Sequence, residues 1–326
     1  MSETANTAKM AEKLSNELFG DFNWVRVGEM NSNWACVEPH HNVPTHPSDV
    51  VFHYENPYAL SRTYVTCDLK SYARGTISAA KIQGAVVKLA KSIACAEKSQ
   101  EWQDKYLHPS ISPEICGLLF VYNHDGEYDS EFQTILKGVN HSALAVPKGS
   151  KLVVLGPQDI FWLNNVRYDI VNMRGNEKLP PKDQCQFHYP NLDRRKMIQP
   201  DKATAATLEM LTAPWIILEY KPAEGVVRKG FVIYYRPRGE RIEEFLYLLD
   251  YLLHYQIRPG IDTEVQIKTV DPHPNSHTLF GKAIDQYIYD NNAGEDLKKR
   301  LEKIGFSEIN NLHLKFSAEQ IGMEDA

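Results

Sequence analysis

The chain has 326 residues, 43% of them hydrophobic and 24% charged, and a formal net charge of −6. This length suits two domains or one enlarged α/β domain, and the apolar content excludes a disordered chain. The negative balance excludes a generally basic nucleic-acid coat protein, so attraction for phosphate would have to come from local patches or bound cations.

The five cysteines, Cys36, Cys67, Cys95, Cys116 and Cys185, include no CxxC pair. The expectation is reduced thiols rather than a disulfide framework or a cysteine-rich zinc module. The start lacks a basic segment followed by an apolar run, and no stretch is long enough to span a bilayer, which points to a cytoplasmic protein.

In chain order, Met10, Leu14, Leu18 and Phe19 recur at helical spacing ahead of Gly20, predicting an opening helix. Short strands are expected at residues 24–27 and 34–37, then a loop of turn formers over 38–48. A strand starting at Asp49 and a second over 63–72 flank a turn-rich stretch; in the second, Val65, Cys67 and Leu69 alternate with Thr66, Asp68 and Lys70. Ile82, Val86, Leu89 and Ile93 mark an amphipathic helix over 76–100. The apolar run at 117–122 suits a buried strand, followed by a strand at 151–155 and a helix at 159–171.

The first module thus reads α-β-β-β-α-β with added αβ elements, and ends near residue 175. Residues 176–200 are polar, contain prolines and lack periodicity, as a linker would. Residues 201–326 read as a second, smaller α/β domain: strands at 215–220, 230–235, 263–270 and 312–316, and helices at 240–255, 277–291 and 295–304.

Asp68 and Lys70 stand two apart on a strand, so both point to one face. An antiparallel hairpin centred between Tyr58 and Ala59 sets Asp49 opposite Asp68, with Cβ atoms roughly 4.5–5.5 Å apart. A slip of one residue would turn one of the two away. Two carboxylates this close suit a hard cation, Mg²⁺ or Mn²⁺, and the backbone carbonyl of Leu69 is a candidate further oxygen ligand. Such a cation polarises phosphate and lowers the pKa of bound water. Lys70 adds a point charge for the nucleophile and the developing phosphate charge.

At these residues the sequence resembles the PD-(D/E)xK nuclease superfamily. Pro47-Ser48-Asp49 stands where the family has Pro-Asp, with one extra Ser, and Asp68-Leu69-Lys70 supplies the triplet. Element order extends the resemblance over residues 8–175. It implies a restriction-endonuclease-like α/β core that hydrolyses phosphodiesters, in DNA rather than RNA, using Asp49, Asp68 and Lys70. It also implies service in bacterial restriction or anti-phage defence. By the same resemblance, Glu17, or alternatively Glu12, on the opening helix joins Asp49, Asp68 and Leu69 at the metal, and Gln83 positions the water or the scissile phosphate. The second domain would govern assembly or target choice, in a homo-oligomer or with a partner protein of a defence complex. The rival reading is a nuclease fold without its chemistry that binds nucleic acid or a protein.

Three further clusters stand out. His40, His41 and His46, with Cys36 nearby, are irregularly spaced for zinc and read as a loop beside the active-site strand, with contact to substrate phosphate as a further alternative. Lys81, Lys88, Lys91 and Lys98 read as a solvated helix face, with contact to a nucleic-acid backbone as the alternative. Arg228, Lys229, Arg236, Arg238 and Arg241 form either a solvated basic edge or a phosphate-binding surface.

Overall fold

Met10, Leu14, Leu18 and Phe19 are all buried along one side of α1 (Glu3–Asp21), and Phe19 stacks on Trp24 where the chain turns into the first strand. The computed structural model describes residues 3–140, 142, 144–190, 204–223 and 228–309. Contacts between Cα atoms divide them into two units, the first ending at Phe161 and the second starting at Trp162. No helix among the described residues is long and apolar enough to cross a membrane.

In the first unit, α1 leads to β1 (Val25–Val27), β2 (Ser32–Ala35), β3 (Thr45–Ser48), β4 (Val50–Glu55) and β5 (Ser61–Tyr72). Then follow α2 (Ala79–Ala96), α3 (Gln100–Tyr106), β6 (Ser112–Asn123), α4 (Phe132–Lys137), β7 (Leu152–Leu155) and the start of α5 (Pro157–Gly175). The sheet order is β1-β4-β5-β6-β7, while β2 and β3 pair as a separate ribbon. β4 and β5 are an antiparallel hairpin; β5, β6 and β7 are parallel and therefore need crossover connections, the first through α2 and α3. With the inserted ribbon set aside, α1-β1-β4-β5-α2-β6 is the α-β-β-β-α-β order of a restriction-endonuclease-like core.

The Ser78 side chain caps α2 by accepting from the Lys81 amide, and Ile82, Val86, Leu89 and Ile93 are buried along the helix. The helix passes so close to β6 that a Cβ on Gly117 would lie 2.4 Å from Ile93 Cδ1. Glycine permits that approach without displacing the Ile93 and Leu89 side chains. The stretch expected as loop over 38–48 holds β3, whose Pro47 is accommodated because the ribbon has only two strands and one ladder. Helices α3 and α4 are too short for periodicity to reveal.

The second unit contains most of α5, then β8 (Cys185–Phe187), α6 (Leu208–Thr212), β9 (Trp215–Tyr220), β10 (Lys229–Tyr235) and α7 (Ile242–His254). It continues with β11 (Thr263–Thr269), α8 (Ser276–Asp290), α9 (Glu295–Leu301) and β12 (Gly305–Glu308), in a sheet ordered β12-β11-β10-β9-β8. Phe245, Leu248 and Leu252 of α7 and Phe280 and Ile284 of α8 join Ile233 and Ile267 of the sheet in one core.

Two sequence expectations need correction. The stretch read as a linker over 176–200 contains β8, already paired with β9 through Cys185↔Tyr220, while residues 191–203 lie outside the described ones. The division falls inside α5 rather than near residue 175, because the helix is tied to the second sheet: buried Asp169 accepts from Tyr234 Oη at 3.0 Å and from Lys268 Nζ at 2.8 Å. The strand expected at 312–316 also lies outside the described residues.

Candidate active site

β5 changes character along its length. From Thr63 to Cys67 every residue is buried; from Asp68 to Tyr72 each is only partly so. The change coincides with the end of β4, whose last ladder pair is Val50↔Cys67. One step further along the same register, Asp49 meets Asp68, the juxtaposition expected from a hairpin centred between Tyr58 and Ala59. There a side chain replaces the missing strand. Asp49 Oδ2 accepts from the Leu69 amide at 2.7 Å. Within a strand the N–H and C=O of one residue point to the same side, so the Leu69 carbonyl also lies along the edge that Asp49 occupies.

Asp68 and Lys70, two apart on β5, point to the same face of the strand, and the Lys70 ammonium donates to Asp68 Oδ1. Both are partly accessible, with side-chain exposures of 32% for Lys70 and 19% for Asp68. Burial opposes charge on Lys70, but Asp68 and Asp49 outweigh it and raise its pKa above the ordinary lysine value. The carboxyl of Asp49 is pushed up to about 6, chiefly by burial and further by the Asp68 charge, against the Leu69 hydrogen bond and Lys70.

A carboxyl whose pKa is higher folded than unfolded stabilises the fold at low pH and loses that contribution as pH rises through the folded value. In buffer free of divalent cations, Asp49→Asn should therefore be more stable than the parent at pH 7.5, by on the order of 2 kcal/mol. The difference should vanish below about pH 4, where Asp49 is protonated in both states. Urea unfolding of both proteins at the two pH values checks this; a pH-independent difference would contradict it.

The residue inserted between Pro47 and Asp49 has a structural role. Ser48, 1% exposed at the end of β3, accepts from the indole N–H of Trp34 at 3.1 Å and of Trp102 at 3.4 Å. Its hydroxyl is then left to donate to Thr66 Oγ1, 3.4 Å away on β5. One donor and two acceptor sites, all that a hydroxyl offers, are used. Local sequence gave no sign of this, because the three partners are remote in the chain.

The donor set fits a hard divalent cation: the carboxylates of Asp49 and Asp68 and the edge carbonyl of Leu69 are all oxygen. Glu17 is half-buried on α1, a helix that packs against β5. Glu12 Oε1 accepts from the side-chain amide of Asn31 at 3.0 Å. Gln83, on the first turns of α2, has its Oε1 held by the Asn140 backbone amide at 2.8 Å.

Of the lysines on α2, Lys91 donates to the His41 carbonyl at 3.1 Å, Lys98 pairs with Glu38 and Lys81 lies over the Tyr72 ring. In the second unit Arg228 pairs with Glu264, Arg238 with Glu240 and Asp271, and Arg241 with Glu244; Arg236 covers the Trp162 ring. Carboxylates thus already occupy much of this basic edge.

No curated protein is significantly similar to this chain. Residues 1–159 match the family model described as the GAPS4 protein PD-(D/E)XK nuclease domain. That span covers α1 through β7 and includes Asp49, Asp68 and Lys70, so over these residues the chain is similar to PD-(D/E)XK nuclease domains.

Proposed function

We propose that the protein is an endonuclease that cuts DNA and depends on Mg²⁺ or Mn²⁺ held by Asp49, Asp68 and the Leu69 carbonyl, with Glu17 as an added ligand. The observation that carries this reading is the capture of Asp49 by the Leu69 amide next to the Asp68–Lys70 pair. When bound, the cation supplies charge to the phosphate and acidifies a water. Asp49 and Asp68 contribute by holding it while ionised. Lys70 keeps its proton and directs the ammonium at the charge that develops on the phosphate oxygens. Gln83, its carbonyl fixed by Asn140, offers amide hydrogens to orient the phosphate or the water.

The second unit serves assembly or target choice, in a homo-oligomer or with a protein partner, and the cellular role is anti-phage defence in the cytoplasm. These assignments rest on the family's name and on the resemblance of the motif to restriction-type nucleases.

The test is to incubate purified protein with plasmid, linear double-stranded DNA, single-stranded DNA and RNA, each with Mg²⁺, Mn²⁺, Ca²⁺ or no added divalent ion. Plasmid should be cut with Mg²⁺ or Mn²⁺ and left intact with Ca²⁺ or none. At subsaturating Mg²⁺ the rate should rise as pH increases through about 6, because protons compete with the cation for Asp49. Full cleavage without divalent ion would remove the mechanism. Binding of DNA with no cleavage under any condition would establish the inactive-module reading instead.

A further inference from the structure

Four side chains from separate parts of the first unit converge on one point. Cys36 directly follows β2, His41 closes a 3₁₀ turn (Pro39–His41), His46 lies on β3 and Cys95 on the last turn of α2. One ligand atom from each, Sγ or a ring nitrogen, lies within 4.8 Å of all the others. Cys36 Sγ is 3.6 Å from His41 Nδ1, 3.2 Å from His46 Nε2 and 3.6 Å from Cys95 Sγ, and the two nitrogens are 3.3 Å apart.

Hydrogen bonds alone do not explain this arrangement. Cys36 Sγ faces these three partners and the Glu38 carbonyl, 3.4 Å away, with at most one hydrogen to give, and the two imidazole nitrogens face both it and each other. A tetrahedral zinc with Zn–S of about 2.3 Å and Zn–N of about 2.0–2.1 Å has donor–donor edges of about 3.3 Å for N–N, 3.5 Å for N–S and 3.8 Å for S–S. The four separations above match those edges to within a few tenths of an ångström, and the other two, from Cys95 Sγ to the imidazole nitrogens, are no longer than 4.8 Å.

We propose that Cys36, His41, His46 and Cys95 hold a structural Zn²⁺ ion, separate from the hard-oxygen site at Asp49 and Asp68. Thiolate and imidazole select zinc over magnesium, and four protein donors leave no open position for substrate, which marks a structural site. Two thiolates cancel the ion's charge, as its surroundings require: His41, His46 and Cys95 are buried. The Val37 amide donates to Cys95 Sγ at 3.1 Å, a contact that favours the thiolate and orients it. The ion would fasten the β2–β3 ribbon to α2, and through His46 it would fix the segment that leads into Asp49. Spacing hid the site because Cys95 lies 59 residues beyond Cys36.

The test measures zinc in the full-length protein purified without chelators. Close to one zinc per chain is expected; Cys36→Ser and Cys95→Ser should each fall below about a tenth of that, while Asp68→Ala should keep all of it. Because the cysteine variants lose a fold-linked site and can fail to fold, the parent protein is also exchanged with Co²⁺. It should show the visible bands of tetrahedral cobalt with a near-ultraviolet thiolate-to-metal transition. A parent protein with no zinc and no cobalt bands would overturn the proposal, as would a Cys36–Cys95 disulfide in its place or zinc that survives in a folded Cys95→Ser.

Discussion

Lys70→Ala should cleave on the order of 10³-fold more slowly than the parent protein, about 4 kcal/mol of barrier, while keeping much of its affinity for Mn²⁺. The two halves of this expectation have separate origins. An ammonium has no lone pair to offer a metal, so the ligand set survives the substitution. What disappears is the positive charge that Asp68 holds in place. The fold should also survive, since Lys70 is partly exposed on the end of β5 that β4 does not cover. A second effect follows from electrostatics: Lys70 lowers the Asp49 pKa, so its removal should move the acid limb of the rate profile to higher pH. Asp68→Ala, by contrast, should lose both metal binding and cleavage. Single-turnover rates, Mn²⁺ calorimetry and circular dichroism on the same variants decide the matter. A Lys70→Ala protein that cuts at the parental rate would remove Lys70 from the catalytic set.

Ser48→Ala should cost about 3 kcal/mol of stability, far more than the loss of one exposed hydroxyl. The substitution strands two buried indole N–H groups at once and takes a donor from Thr66, and burial leaves no solvent to replace them. In a background carrying Trp102→Phe, one of those stranded donors is already gone. There the cost of Ser48→Ala should be smaller, and the difference measures the Trp102 share. Equal costs in the two backgrounds would show that Ser48 does not bind Trp102 as described. Denaturant unfolding gives both numbers.

The hairpin that carries the site could be read from the sequence because its information is local. Alternation over Thr63–Lys70 and the turn formers between the strands fixed a register, and the ladder from Val50↔Cys67 to Glu55↔Arg62 follows it. The α-β-β-β-α-β order was legible for the same reason, as each element has its own period. What was not legible depends on distant partners. β3 hides among prolines and histidines because its pairing with β2, not its propensity, makes it a strand. β8 lies in an aperiodic stretch and exists because β9 offers it an edge. The Cys36–His41–His46–Cys95 cluster needs a helix residue that no local spacing ties to the histidine loop. Asp169, within α5, belongs to a buried polar cluster formed only when Tyr234 and Lys268 arrive from the sheet.

The hydroxyl under the two indoles also makes this part of the protein optically readable. Trp34 and Trp102 are buried with ring centroids 6.4 Å apart, and the Trp34 ring lies 5.0 Å from that of His46. Indole emission shifts in colour with the polarity around the ring, and a nearby imidazole alters its intensity. Replacing Trp24, Trp162 and Trp215 by phenylalanine leaves this pair as the remaining tryptophans of the five in the chain. Their fluorescence would then follow, in real time and without an attached dye, any rearrangement of the segment that delivers Asp49.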